Sequence, residues 1–93
     1  MGKSIISNER RCYLCGNTYG LDKHHIFNGG GFRKKAEADG LWIYLCRGCH
    51  EEIHHNAIKR LELKKFGQEV YEEKIGTRQE FRKRYGKYYK EEN

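Results

Sequence analysis

The sequence predicts a small α+β domain in which a two-stranded hairpin is followed by helices and is stabilised by bound metal. The first observation is a pair of CxxC motifs, Cys12–Cys15 and Cys46–Cys49. The second is an apolar segment of strand character just before the second motif, with helical periodicity just after it. The third is that all four cysteines and all five histidines fall between residues 12 and 55.

Length and composition limit the class of protein. A chain of 93 residues, 37% of them hydrophobic, suffices for one domain but buries too little apolar surface to be stable without a cross-link. Two disulfides would require an oxidising compartment. The apolar stretch after Lys3 is only Ile5 and Ile6, which is too short for a signal-peptide core or a membrane span. We therefore expect a cytoplasmic protein with no membrane partner, whose reduced thiols bind metal.

Each CxxC pair predicts one half of a structural zinc site. Thiolates at this spacing can share one tetrahedral Zn²⁺, and two such pairs complete a four-cysteine site with no open position. Gly16 follows the first pair and can take the positive φ that such a turn often requires. A mixed site of Cys46, Cys49, His50 and His54 is the alternative, although it leaves the first pair without a role.

Two segments have strand character. Residues 21–27 mix β-branched, aromatic and histidine side chains, and they end at the three glycines of residues 29–31. Residues 41–45, LWIYL, are apolar and well matched in length to the first segment. Together they predict a hairpin. Residues 32–39 between them fit either a helical turn or a mobile basic loop, and propensity alone does not choose.

The second half of the chain has helical periodicity. From His50 onward, apolar residues recur at intervals of three and four, which predicts a helix that continues or restarts as far as a stop at Gly76. Thr77 and Glu80 form a capping-box pattern. A short last helix should follow, with Phe81 as its buried anchor.

These features divide the chain. Residues 1–11 are polar and aperiodic, which predicts a flexible leader. Residues 12–93 form a single predicted domain, in which residues 12–56 carry the metal sites and the hairpin. Residues 57–93 form a basic helical tail.

A formal net charge of +6 favours a polyanionic partner. The basic residues of the tail alternate with aromatic ones, a pattern that favours contact with a nucleic-acid backbone, although a solvated helix face is the simpler alternative. Other basic residues follow the glycines, where a loop could meet phosphates. The predicted nucleic-acid contacts are Arg33, Lys34, Lys35, Arg82 and Arg84.

The histidines predict a second metal site. His50 and His54 are spaced i, i+4, so that on a helix both imidazoles lie on one face and can chelate one cation, although ordinary surface histidines also occur at this spacing. Neighbours on a strand point to opposite faces, so one member of the pair His24 and His25 can join that metal while the other points elsewhere. Asp22 shares a strand face with His24 and could accept from an imidazole. Three histidines leave positions open for water or a phosphate oxygen.

Taken in order, these motifs resemble the HNH endonucleases, specifically the zinc-knuckle type common among bacteriophage and prophage proteins. The residues that carry the resemblance are 21–26 (LDKHHI), a Gly-rich loop, an apolar strand and 45–54 (LCRGCHEEIH). The match covers about residues 12–56. The resemblance implies a zinc-stabilised ββα-metal (HNH) core, in which a hairpin and a helix hold one divalent ion, followed here by C-terminal helices.

The resemblance also implies an endonuclease that hydrolyses phosphodiester bonds in DNA, with RNA as the other candidate substrate, in the cytoplasm of a bacterial host or phage-infected cell. His25 would be the general base, a role that suits an imidazole pKa of about 6.5. His24, His50 and His54 would hold the catalytic ion, which would be Mg²⁺, Mn²⁺, Ni²⁺ or Zn²⁺. That ion would polarise the phosphate and stabilise the departing 3′ oxygen.

One position departs from the family pattern. The middle Asn, which orients the base histidine in the family, should fall near Gly40, and Asn28 or Asn56 are the candidate replacements. Two other functions stay open. One is a zinc-knuckle module that binds nucleic acid without cutting it, and the other is an accessory nuclease of phage packaging or recombination that needs a phage protein partner.

Overall fold

The computed structural model describes residues 3–90, and it confirms a compact α+β domain with one two-stranded antiparallel sheet. The elements, in chain order, are β1 (Leu21–His25), α1 (Phe32–Asp39), β2 (Trp42–Cys46), α2 (Arg47–His55), α3 (Ala57–Lys74) and α4 (Arg78–Tyr85). None of these four helices is long and apolar enough to cross a membrane.

The predicted hairpin is present as the antiparallel pair β1 and β2. His24 lies opposite Ile43, and His25 lies opposite Trp42. Because cross-strand partners share a face of the sheet, His24 lies on the face of the fully buried Ile43 and His25 lies on the other face. The two adjacent histidines therefore direct their imidazoles to different sides of the hairpin.

Residues 32–39 form the helix α1, which decides the choice that propensity left open. The helix ends at Gly40, whose φ of 75° lies in the left-handed region. A Cβ at Gly40 would also lie 2.6 Å from the carbonyl oxygen of Lys3. Glycine is therefore required on both counts where the chain turns from α1 into β2.

The helical half follows the predicted plan with one shift. Helix α2 begins at Arg47, so it starts inside the second CxxC motif instead of after it. A new helix begins after Asn56, whose side chain accepts from the backbone N–H of Lys59 at 3.0 Å. At α4 the predicted capping box is confirmed, with both reciprocal hydrogen bonds between Thr77 and Glu80 present.

Two groups of buried side chains form the core, and α3 contributes to both. The first, around α1, α3 and α4, contains Ile26, Phe27, Ala36, Leu41, Val70, Tyr71, Phe81 and Tyr85. The second, around β2 and α2, contains Cys12, Ile43, Leu45, Cys46, Ile53 and Leu63. The helical tail therefore packs as part of the same domain as the hairpin.

The leader, predicted as flexible, makes specific contacts where the structure describes it. Ser4 is buried, and its hydroxyl donates to the carbonyl of Trp42 at 2.7 Å. The backbone N–H of Ile5 donates to the carbonyl of Gly40 at 2.9 Å. These bonds hold residues 3–5 against the start of β2. The predicted leader and the predicted domain also include residues 1–2 and 91–93, which lie outside the described residues.

We expect Gly67→Ala to destabilise the domain, because α3 approaches the chain after β1 closely at this residue. An added Cβ would lie 2.8 Å from Ile26 Cγ2 and 2.9 Å from Phe27 Cε2. Overpacking typically costs about 1–3 kcal/mol, which exceeds the gain in helix propensity of about 1 kcal/mol. Urea unfolding of the zinc-loaded protein measures the change.

The matched control is Gly48→Ala in α2, where an added Cβ has no neighbour within 4 Å. Its unfolding midpoint should equal or exceed that of the wild type, because alanine gains helix propensity there without a steric cost. Equal midpoints for the Gly67→Ala and Gly48→Ala proteins would contradict the close approach of α3.

Candidate functional site

The four cysteines converge as the sequence predicts. Their four Sγ atoms all lie within 4.8 Å of one another. We call this group, made of Cys12, Cys15, Cys46 and Cys49, the sulfur cluster. The cysteines are free thiols, and the Sγ atoms of Cys15 and Cys46 are 3.6 Å apart. Tetrahedral zinc with bonds of about 2.3 Å would put its sulfurs about 3.8 Å apart. The cluster therefore fits a structural zinc.

Backbone hydrogen bonds place the first CxxC motif, Cys12–Cys15, beside the second, Cys46–Cys49. The N–H of Tyr13 donates to the carbonyl of Tyr44 in β2 at 2.8 Å. The N–H of Gly16 donates to the carbonyl of Cys12 at 2.9 Å, and Gly16 has the predicted positive φ, 83°. The turn at residues 12–16 thus lies along β2 close to Cys46. This contact brings the sulfurs of the first CxxC motif next to those of the second.

The thiols are not equivalent before metal binds. Burial raises the pKa of Cys12, but hydrogen bonds from backbone groups, including the N–H of Cys15 at 3.5 Å, outweigh it and lower that pKa to about 6. Burial and the neighbouring sulfurs raise the pKa of Cys49, because a thiolate there would lie beside other negative charge. A bound Zn²⁺ would remove this repulsion, which is the usual reason that zinc sites deprotonate their thiols.

Three of the histidines form a second group. The rings of His24 and His50 lie edge to face with centroids 5.2 Å apart, and the centroids of His50 and His54 are 4.8 Å apart. Strand β1 supplies the first ring, and one face of α2 supplies the other two. They line an open cavity of about 200 Å³, the histidine cavity, whose walls are Lys23, His24, His25, Asn28, Arg33, His50 and His54.

The histidine group is less convergent than the sulfur cluster. Within residues 3–90, the four cysteines are the one set of three or more Cys, His, Asp or Glu side chains whose ligand atoms all lie within 4.8 Å of one another. The imidazoles of His24, His50 and His54 are adjacent, but their nitrogens must rotate toward a common point to share an ion. The group is therefore a candidate metal site because of the residue types it contains and the short distances between its rings, and not because its nitrogens already converge.

Two electrostatic features suit this group to a metal. Burial, followed by the nearby His50 and His54, lowers the pKa of His24 to about 4, so its imidazole is neutral and carries a free lone pair at neutral pH. His50 Nδ1 lies 3.4 Å from Asp22 Oδ2, which is the acceptor that the strand pattern suggests. A proton held at Nδ1 leaves Nε2 as the ligand atom.

His25 interacts with a residue that the sequence did not single out. Its Nε2 lies 2.7 Å from Glu37 Oε1, and Glu37 also pairs with Lys23 at 3.1 Å. The hydrogen bond with His25, ahead of the one from Lys23, lowers the pKa of Glu37. Had residues 32–39 been assigned to a helix, Glu37 and Arg33 would have fallen at i, i+4 on one face, which is the signal that could have found Glu37.

The five predicted nucleic-acid contacts divide into two kinds. Arg33 lines the histidine cavity, and Lys34 and Arg82 are exposed. By contrast, Lys35 Nζ donates to the carbonyl of Arg84 at 3.0 Å, and Arg84 Nε donates to Asp39 Oδ2 at 2.6 Å. Lys35 and Arg84 join α1 to α4, so DNA would have to compete with these internal contacts.

Removal of one thiol should release the zinc and unfold most of the protein. Structural zinc contributes about 10 kcal/mol or more, which is comparable to the whole stability of about 5–15 kcal/mol expected for a domain. Native mass spectrometry should find one tightly held zinc per wild-type chain and none in Cys46→Ser, whose circular dichroism should show lost structure. His55→Ala alters an exposed α2 residue and should keep both zinc and fold. A folded, zinc-free Cys46→Ser protein would contradict the structural role.

The chain was compared with protein-family models, with curated proteins and with solved structures, and none of them matched. Its resemblance to the HNH endonucleases therefore rests on the order and spacing of its cysteines and histidines.

Proposed function

We propose that the chain is a metal-dependent endonuclease of the HNH type, with a zinc-stabilised ββα-metal core, that hydrolyses phosphodiester bonds in DNA. The observation that carries the proposal is the packing of His24 from β1 against His50 from α2, with His54 and His25 at the same cavity. A hairpin and a helix that bring four imidazoles to one open cavity suit a hydrolytic cation better than they suit a purely structural site, which is closed.

His24, His50 and His54 would be the protein ligands of the divalent ion. When bound, this ion would supply positive charge that polarises the phosphate and stabilises the departing 3′ oxygen. Imidazole ligands contribute no negative charge, so the ion would keep its full attraction for phosphate. Asp22 orients His50 through Nδ1, as partners of metal-bound histidines commonly do.

His25 is the proposed general base, and Glu37 is the residue that positions it. A carboxylate can only accept, so the 2.7 Å contact assigns the proton to Nε2 of His25 and leaves the lone pair on Nδ1. That nitrogen would take the proton from the attacking water. The carboxylate also stabilises the positive charge that the imidazole then gains. Glu37 thus performs the orienting task that the middle Asn performs in the family.

The surroundings of the histidine cavity favour a phosphate. Arg33 lies in its wall together with Asn28, and Lys23 lies there as well, although its ammonium is paired with Glu37. Asn56, the other candidate for the missing Asn, uses its side chain to cap α3. The cationic wall would hold a backbone phosphate without reading bases, so the proposed cutting would depend little on local sequence.

Replacement of the base tests the proposal. Wild-type protein should nick or linearise plasmid with Mg²⁺, Mn²⁺ or Ni²⁺, and EDTA should stop the reaction. His25→Ala should cut about 10²–10⁴-fold more slowly, because general base catalysis contributes about that factor, while it retains its zinc and fold. His55→Ala, outside the cavity wall, should retain most of the rate.

Two outcomes would contradict a nuclease that acts alone. If wild type and His25→Ala are equally inert with every metal but both shift DNA in a gel, the chain is a zinc-knuckle binding module. If wild type is inert alone but cuts after coelution with a phage protein, it is an accessory nuclease that needs a partner.

Variants of Glu37 test its positioning role separately. Glu37→Ala should lower kcat about 10–100-fold, the usual effect of losing a residue that orients a catalytic group, with KM little changed. Glu37→Gln should recover part of the loss, because its amide oxygen still accepts from Nε2 of His25. A raised KM with unchanged kcat would instead assign Glu37 to substrate binding.

A further inference from the structure

A second, smaller cavity lies beside the histidine cavity, and its wall is cationic. It has a volume of about 20 Å³ and is lined by His24, Ile26, Asn28, Arg60 and Lys64. His24 and Asn28 also line the histidine cavity, so the two cavities share part of one wall. The smaller one has room for a single water molecule or one phosphoryl oxygen, since about 10–15 Å³ suffices for one.

Helix α3 supplies both cations. Arg60 and Lys64 are spaced i, i+4 and so lie on one face of the helix. The guanidinium of Arg60 donates to the carbonyl of Ile53 at 3.1 Å and also to the carbonyl of His54, which ties it to the end of α2. The ammonium of Lys64 lies 5.4 Å from the ring centroid of Tyr89. Arg60 is thus held beside the helix that carries His50 and His54, and Lys64 lies one turn further along α3, near Tyr89.

No carboxylate neutralises this pair within the described part of the chain. The ion pairs formed among residues 3–90 include neither Arg60 nor Lys64. Burial, then the charges of Lys87 and Arg60, lower the pKa of Lys64. Two cations held together at a partly buried position disfavour the free protein, and a bound anion would relieve that cost.

Capping of α2 accounts for only half of this arrangement. Arg60 stabilises the last carbonyls of α2, as basic residues at helix C-termini commonly do. Lys64 makes no such contact within residues 3–90, yet it lies in the wall of the cavity that contains His24. What capping leaves unexplained is that Arg60 and Lys64, both hydrogen-bond donors, line one cavity that has room for a single oxygen atom.

We propose that Arg60 and Lys64 form a phosphate subsite, which holds the DNA phosphate next to the one presented to the histidine cavity. This inference rests on the proposed function, because the neighbouring phosphate has meaning only if the histidine cavity receives one. Arg33 in the wall of the histidine cavity would contact one phosphate of the DNA strand, and Arg60 and Lys64 would contact the next. The subsite would fix the position of the strand and contribute no choice of bases.

The test measures DNA binding against salt concentration in the His25→Ala protein without added divalent metal, so that cutting does not interfere. A protein–phosphate contact releases counterions, and its loss lowers the slope of log K against log salt by about 0.9. Lys64→Gln in this background should reduce the slope by about that amount for a mixed-sequence duplex. Lys65→Gln is the matched control, because Lys65 is the next residue of α3 and lies outside the wall of both cavities.

Arg60→Gln is a second variant and should lower the slope in the same way. Because Arg60 also caps α2, its zinc content and circular dichroism are checked first. Lys64→Gln removes no hydrogen bond recorded within residues 3–90, so it keeps the test valid if Arg60→Gln does not fold.

Each result has one interpretation. A lower slope for Lys64→Gln with an unchanged slope for Lys65→Gln supports the subsite. Equal slopes for wild-type background and Lys64→Gln overturn it, as does an equal decrease for both lysine variants or an absence of DNA binding. Plasmid cutting by the protein with His25 intact, measured in parallel, tests the nuclease separately. Cutting without a slope change for Lys64→Gln contradicts the subsite alone. A slope change without cutting contradicts the nuclease and leaves a phosphate site on a binding module.

Discussion

The convergence of four cysteine sulfurs is the constraint on which the rest of the structure depends. Cys46 ends β2 and lies opposite Leu21, the first residue of β1. His24 is three residues after Leu21 in the chain, and His50 is four residues after Cys46. Strand β1 and helix α2 therefore both begin near the sulfur cluster, and the cluster fixes how close the imidazoles they carry can lie. Loss of metal there would uncouple the hairpin from α2.

Much of the framework could be predicted because its signals are local. The CxxC spacing, the capping box at Thr77 and the alternation along β2 each depend on residues within one turn or strand. Helix α1 could not be assigned, because eight residues with three basic side chains fit a helix or a loop equally well. Its neighbours decide it, since Ala36 is fully buried in the core and Gly40 ends the helix.

The contacts that determine which side chains line the cavities are long-range, so the local signals of the sequence could not predict them. Glu37 meets His25 only because α1 folds back on β1, and Arg84 is paired with Asp39 across 45 positions of sequence. Arg60 meets the end of α2 because the chain turns at Asn56. Composition shows an excess of basic residues, but which of them face a cavity depends on packing. An excess of positive charge in a sequence favours a polyanionic partner. Ion pairs formed in the folded protein then determine which of those charges remain available to bind it.

We propose that the sulfur cluster holds β1 and α2 so that a second, hydrolytic cation can bind between them. Crystals soaked in Mn²⁺ and measured at the zinc and manganese absorption edges test it most directly. We expect a zinc peak within the sulfur cluster and a separate manganese peak about 2.0–2.3 Å from nitrogens of His24, His50 and His54, a range typical of metal–imidazole bonds. A zinc peak alone, with the three imidazoles unliganded at saturating Mn²⁺, would contradict the claim and leave a zinc-stabilised module without a reaction centre.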